Sequence, residues 1–269
     1  MPEIRHRETG AVLYRADAPS LRGLDLSGRA LARADLAGAD LRGSDLRGAD
    51  LSYGTLAGAN LDGCRLEGAA ACMTDFTGAN LRGAVLTDAR VLAAQMTGAD
   101  LTGARLEHGV FQWSQFPGAI LRDTHLRGGD FNRASFAAAD LAGADARDAR
   151  FDFADLTRAR LEFANLTGAR LVAADLRGAR LRGADLALAA LVRARLTGAD
   201  FAGAMLSGTQ FVGLADLAAA TGRVEAEHHR VSFVDLETLR EGAARLPREF
   251  LTAVGARPEE LDALAAVTR

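Results

Sequence analysis

From Leu21 to Phe211 every fifth residue is apolar, without one slip. Of these 39 centres, 27 are Leu and 8 are Phe; Ala71, Val91, Met96 and Ala146 fill the rest. The residue two before the centre is Ala in 27 of the 39 units. The residue just before the centre is Asp in 14 units and Arg in 8. Ala39-Asp40-Leu41-Arg42-Gly43 is a clean unit, and Ala99-Asp100-Leu101-Thr102-Gly103 is another. A period of five belongs to neither a helix nor a strand. Ala and Leu two apart do share a face of an extended chain, so the next two residues must turn. Each unit therefore reads as a very short strand and a corner. Such a unit cannot bury its Leu alone. The chain has to coil, with the Leu around a common axis and successive turns stacked.

The glycines predict how many units make a turn. Taken in steps of 20, the residue two after the centre is Gly in 8 of 10 units in the column of Gly23. It is Gly in 6 of 10 in the column of Gly28 and in 7 of 9 in that of Gly38. In the column of Arg33, Tyr53 and Met73 it is Gly in 1 of 10. The Phe centres keep the same beat: Phe111, Phe131 and Phe151 share one column, and Phe76, Phe116 and Phe136 another. Four units per turn follow, with four unequal sides. A solenoid exposes an edge at each end and needs caps. Residues 1–15 read as a hairpin cap, with Glu3–Arg7 and Ala11–Tyr14 on either side of Thr9-Gly10. Residues 16–213 are the repeat. Residues 214–269 read as a helical C-terminal cap or partner-binding module. There, 214–221 is predicted helical with Gly222 as its stop, and 223–233 has no clear pattern. Three helical pieces follow: 235–244 with Asp235 as cap, one from Pro247 to Gly255, and one opening at Pro258.

These units resemble the pentapeptide-repeat family, whose consensus is A(D/N)LXX, over about residues 16–213. The resemblance implies an all-β solenoid: a right-handed quadrilateral β-helix of about ten coils, followed here by a small α-helical appendage. At the usual strand spacing of ~4.8 Å the rod would be roughly 45–50 Å long. The tail from Leu246 to Gly255 is similar to the segment that joins such a β-helix to a Toll/interleukin-receptor effector domain in larger proteins, and the hairpin is similar to theirs. Some family members protect DNA gyrase from quinolones or peptide toxins by imitating DNA, as dimers joined at their C-terminal ends.

Charge bears on that choice. There is no Lys; 32 Arg stand against 35 acids, a net charge of −3. This excludes a strongly basic nucleic-acid binder and gives little support to an acidic DNA mimic. Neither a long apolar span nor an apolar leader is visible, so no membrane partner and a cytoplasmic location are expected. Catalytic sets are lacking. The glycines keep the five-residue register, so no nucleotide loop forms and no cofactor is expected. Glu225, Glu227, His228 and His229 are weak metal candidates, because neighbours in a strand point to opposite faces. Cys64 occupies an inward small-residue position, and Cys72 an outward one. The chain reads as a non-enzyme.

The outside of the rod carries the candidate chemistry. The glycine-poor column holds Tyr53, Met73, Trp113 and Phe153 two after their centres. Leu92 lies in the column beside it, Val110 precedes a centre on the same side, and Ile120 is placed round the next corner. These positions should point outward, where the repeat needs nothing apolar, and an apolar stripe of this kind marks an interface. In the tail, Leu246, Phe250, Leu251, Leu261 and Leu264 are candidates for the C-terminal module. The expected function is thus a rigid scaffold that binds a protein partner through this stripe and the C-terminal helices. The alternative is the gyrase protector, with a homodimer through the C-terminal region. A third reading, resting on the tail, is the sensing part of an antiphage or effector system.

Overall fold

In a computed structural model of the chain, the structure describes residues 1–222, 232–235, 238 and 252. Residue n lies beside residue n + 20 in parallel register, from Asp25 with Asp45 through Asp185 with Met205, without an insertion. One coil is therefore four units, and every unit contributes one rung to a ladder between coils. All 39 centres but Leu21 are buried, and with their Ala partners they form a single core along the axis. The Phe centres stack at the coil spacing. Phe111, Phe131 and Phe151 lie 5.1 and 5.2 Å apart, and Phe116 and Phe136 lie 4.7 Å apart.

One unit accounts for its own backbone. The Leu41 N–H donates to the Asn60 carbonyl of the next coil at 2.9 Å, and the Gly43 N–H to Asp62 at 3.0 Å. The Asp45 N–H donates back to Leu24 at 2.8 Å, and the Ser44 N–H closes the corner onto Leu41 at 2.9 Å. One N–H is left over, that of Arg42, and the Asp40 carboxylate accepts it at 3.3 Å. The same bond recurs at every Asp that precedes a centre, for example Asp100 to the Thr102 N–H at 2.9 Å and Asp155 to the Thr157 N–H at 2.9 Å. Asn60, Asn80 and Asn165 do it too. The Asp of the repeat is thus an acceptor for the only amide the ladder leaves unpaired, and this is why Asp and Asn interchange there. Two before the centres, Ser or Thr replaces Ala where the hydroxyl reaches a carbonyl, that of its own corner for Thr124 with Leu121 at 2.7 Å and that of the preceding coil for Thr74 with Leu51 at 2.9 Å. Cys64 does the same with Leu41 at 2.8 Å. The Ala position is not kept in the first units: Leu24 is half-buried and Arg29 exposed, because no coil lies beneath them.

The N-terminal edge is covered. Strands β1 (Glu3–His6) and β2 (Val12–Arg15) form an antiparallel hairpin, and β1 also pairs antiparallel with β3 (Ala34–Asp35) on the first coil. Ile4 enters the core fully buried. At the other end β4 (Ala190–Val192), β5 (Gln210–Val212) and β6 (Phe233–Val234) stack in parallel. The helix expected over 214–221 is only a 3₁₀ turn, Leu217–Ala219, after which Thr221 returns to the ladder beside Asp200. Bonding to the coil edge outweighs the local helical pattern. Likewise the stretch without a clear pattern ends in β6, opposite Gln210 and Phe211. Asp235 accepts the Gly213 and Thr238 N–H groups at 3.1 and 3.2 Å, so it does cap Thr238. The helical pieces expected beyond it lie outside the described residues.

Candidate interaction surface

Every residue two after a centre, from 23 to 213, has a positive φ, between +52° and +71°. Of these 39 residues, 22 are Gly and 17 are not. A left-handed L-residue costs about 1–2 kcal/mol, so Gly is the backbone's choice. In one corner column nine of ten residues decline it: Arg33, Tyr53, Met73, Ala93, Trp113, Arg133, Phe153, Ala173 and Arg193 all stand with φ between +52° and +63°. Backbone geometry does not explain them.

The structure places Tyr53, Met73, Trp113 and Phe153 outward, 47, 59, 54 and 53% exposed. Leu92 and Val110 are half-buried beside them. Ile120 is exposed but belongs to the unit of Leu121, two units on from that of Phe111; it sits on the opposite side of the coil and leaves the stripe. Cys72, expected outward, is half-buried under the same corner. The expected stripe omits two Arg of this column that the 20-residue step contains. Arg133 lies between two rings of the stripe, 4.8 Å from the Trp113 centroid and 5.0 Å from that of Phe153. Arg33 lies over Tyr53 at 5.5 Å and is salt-bridged to Glu8. Cation–π contact across coils thus joins Arg33 to Tyr53, and Arg133 to both Trp113 and Phe153, with Met73 and Ala93 between the two groups. Phe163 and Leu188, 71 and 56% exposed, are further apolar corner residues in other columns. Leu246, Phe250, Leu251, Leu261 and Leu264 lie outside the described residues, as do Glu225, Glu227, His228 and His229. Among the described residues no group of three His, Cys, Asp or Glu is placed to hold a metal ion. No helix among them is long and apolar enough to cross a membrane.

The acidic groups are occupied locally. Asp40, Asp45, Asp145 and Asp175 each hold the Arg two residues on, at 2.5–2.6 Å, while capping the same corner. The Arg42 and Arg47 guanidinium groups hold the Asp40 and Asp45 carboxyls down at about 2, from an ordinary 3.8. Arg147 lowers Asp145 in the same way, and the Ser27 hydroxyl lowers Asp25. Groups depressed in the folded state stabilise it fully above the unfolded value and lose that contribution as pH falls towards the folded value. The urea midpoint is expected to stay level from pH 7 to about 5 and to decline between about 4 and 2. A midpoint unchanged down to pH 2 would refute the capping role. Burial pushes the Cys64 thiol up to about 11, which makes it an inert core group.

No curated protein matches the chain. Among solved structures, HetL, a pentapeptide-repeat protein involved in heterocyst differentiation regulation in the cyanobacterium Nostoc, is 30% identical. That match covers 77% of this chain and 87% of HetL, with a TM-score of 0.40. QnrB1, a plasmid-mediated fluoroquinolone resistance protein, is 20% identical over 65% of this chain and 91% of its own, with a TM-score of 0.37. Rfr23, a pentapeptide-repeat protein of the cyanobacterium Cyanothece, is 29% identical over 41% of this chain and 62% of its own, with a TM-score of 0.22. The family's fold is the right-handed quadrilateral β-helix, in keeping with four units per coil. Eight copies of the family model, described as pentapeptide repeats, match between residues 30 and 213. The coil of 20, the buried centres and the matched repeats coincide, and the chain belongs to the pentapeptide-repeat family.

Proposed function

We propose that this chain is a rigid, non-enzymatic interaction rod of about ten coils, which binds a protein partner through the corner stripe around Trp113 and through the module after residue 213. The observation that carries the reading is the stripe itself. Bulky apolar side chains stand exposed at corners where the backbone prefers Gly, and they lie in one straight column. A large aromatic flanked by Arg is the composition of an interface anchor. The charge pattern weighs against DNA mimicry. Asp before a centre caps its own corner, often while holding an Arg, and from 21 to 150 there are 16 acids against 14 Arg. No continuous negative face is left to imitate a phosphate backbone.

Trp113→Ala is the test. Ala already stands at left-handed corners 93, 138 and 173, so the fold should tolerate it and the melting temperature should stay within a few degrees. Capture of a protein partner should fall at least tenfold, a loss typical of a central aromatic anchor. Unchanged capture by the folded variant would remove the stripe from the function. A supercoiling assay of DNA gyrase with a quinolone, run with and without the chain, is expected to show no rescue.

A further inference from the structure

We infer that the partner on this stripe is a second copy of the same chain, packed antiparallel against the same side of the rod. The inference rests on the interaction reading above and names its occupant.

Three observations point there. The first is spacing. The stripe repeats once per coil, at ~4.8 Å, with no insertion over its length. An extended peptide laid along it presents side chains on one face every ~6.6 Å, so it cannot place one against each coil. Another stack of coils stays in step throughout. The second is polarity. The residues just after the centres on this side carry one charge in ten, Asp152, against seven in ten on the opposite side.

The third is charge complementarity. Put a two-fold axis across the rod at the coil of Trp113. The two corner columns then meet head to tail: Trp113 faces Trp113 of the second copy, Met73 faces Phe153, Tyr53 faces Ala173, and Ala93 faces Arg133. Trp113 meets a ring, Met73 meets a ring, and Tyr53 and Arg133 meet Ala. In the column before the centres, Asp50 faces Arg170, Arg90 faces Asp130, and Val110 faces its own copy. Symmetry doubles each ion pair, giving four. Arg90 is exposed and has no ion pair with any described residue, and Asp50 does no more than cap the Ser52 N–H; their partners across the axis are shared with the rod, Arg170 with Asp152 at 3.2 Å and Asp130 with Arg150 at 3.8 Å. Other registers fit worse. One coil of slip towards the N-terminus loses the Arg90–Asp130 pair. Two coils set Asp50 on Asp130 and Arg90 on itself. One coil the other way sets Arg90 on Arg150. In the favoured register the one like-charge meeting in these columns, Arg33 with Arg193, falls at the rim, where Glu8 already neutralises Arg33.

The contact from 50 to 170 spans six coils, about 29 Å, and is narrow, so association belongs to the weak class. Light scattering or sedimentation of the full chain should show the mass doubling with concentration, below about 200 µM. Arg90→Glu should weaken this at least tenfold, and rising salt should weaken it further. Register is read by single cysteines on a Cys72→Ser background, with a short bismaleimide crosslinker; Cys64 is buried and stays silent. Val110→Cys, which keeps Trp113 in place, should link to itself. Met73→Cys should not, but should link to Phe153→Cys when the two variants are mixed. A chain that stays monomeric, or a dimer without this pattern, overturns the inference. Self-linking by all three variants would mean a parallel pair, and it overturns it too. If the monomeric rod still captures a different protein in a Trp113-dependent way, the interaction reading stands without the self-association.

Discussion

Leu101→Arg is expected to split the rod into two separately unfolding pieces. Leu101 is fully buried; its N–H donates to the Ile120 carbonyl of the next coil at 2.7 Å, and its C=O accepts the Ala104 N–H of its own corner at 2.8 Å. An Arg there has no carboxylate within the apolar core, and an unpaired buried charge is among the costliest substitutions a fold can meet. A solenoid gives it no remote part of the core to adjust, since each coil touches only its neighbours. The coils next to residue 101 should open, while coils towards both ends keep their ladders. Guanidinium unfolding, followed by circular dichroism, should change from one transition to two, with protease cleavage appearing near residue 101. A single transition at the wild-type midpoint would contradict the core assignment.

Phe131→Ala should remove about 3–5 kcal/mol from the unfolding free energy, read from the guanidinium midpoint. Phe131 stacks between Phe111 and Phe151 and meets Phe116 and Phe136 edge-on at 6.4 and 5.6 Å. Its loss leaves a ring-sized void that the ladder cannot close, because ladder bonds hold the coil spacing. Natural Ala centres exist at Ala71 and Ala146, but each is followed in its own coil by a Phe, Phe76 and Phe151, so volume is conserved around the axis. Residue 131 would have Phe136 to follow it as well, yet the stack above and below it was built for a ring. A loss under 1 kcal/mol would mean that the interior repacks freely and that the stacks contribute little.

Most of the rod was legible in the residue pattern. The five-residue period needed no structure, because an unbroken line of Leu and Phe has a single burial solution. The four-unit coil was legible in the glycine columns, because the left-handed corners are local and Gly marks them. The stripe was legible for the same reason inverted: Tyr53, Met73, Trp113 and Phe153 stand where Gly belonged. Ile120 was misplaced because position along the unit was read without counting sides around the coil. Arg133 is absent from the expected stripe, because its place between Trp113 and Phe153 depends on two neighbouring coils.

The sequence by itself determined what repeats locally: which residues face the axis, where the chain turns, and how many turns close a coil. Tertiary structure alone decided what depends on the neighbouring coil. The role of Asp is one case, since the amide it accepts becomes spare only after the ladder has taken three of the unit's five and the corner a fourth. The closing coil is the other. Residues 214–221 have a helical pattern, but the edge of the preceding coil offers unpaired amides and carbonyls, and Leu217–Ala219 keeps one turn before Thr221 rejoins the ladder. A chain reads its local preferences from its own residues; the bonds that outweigh them come from the surface on which it lands.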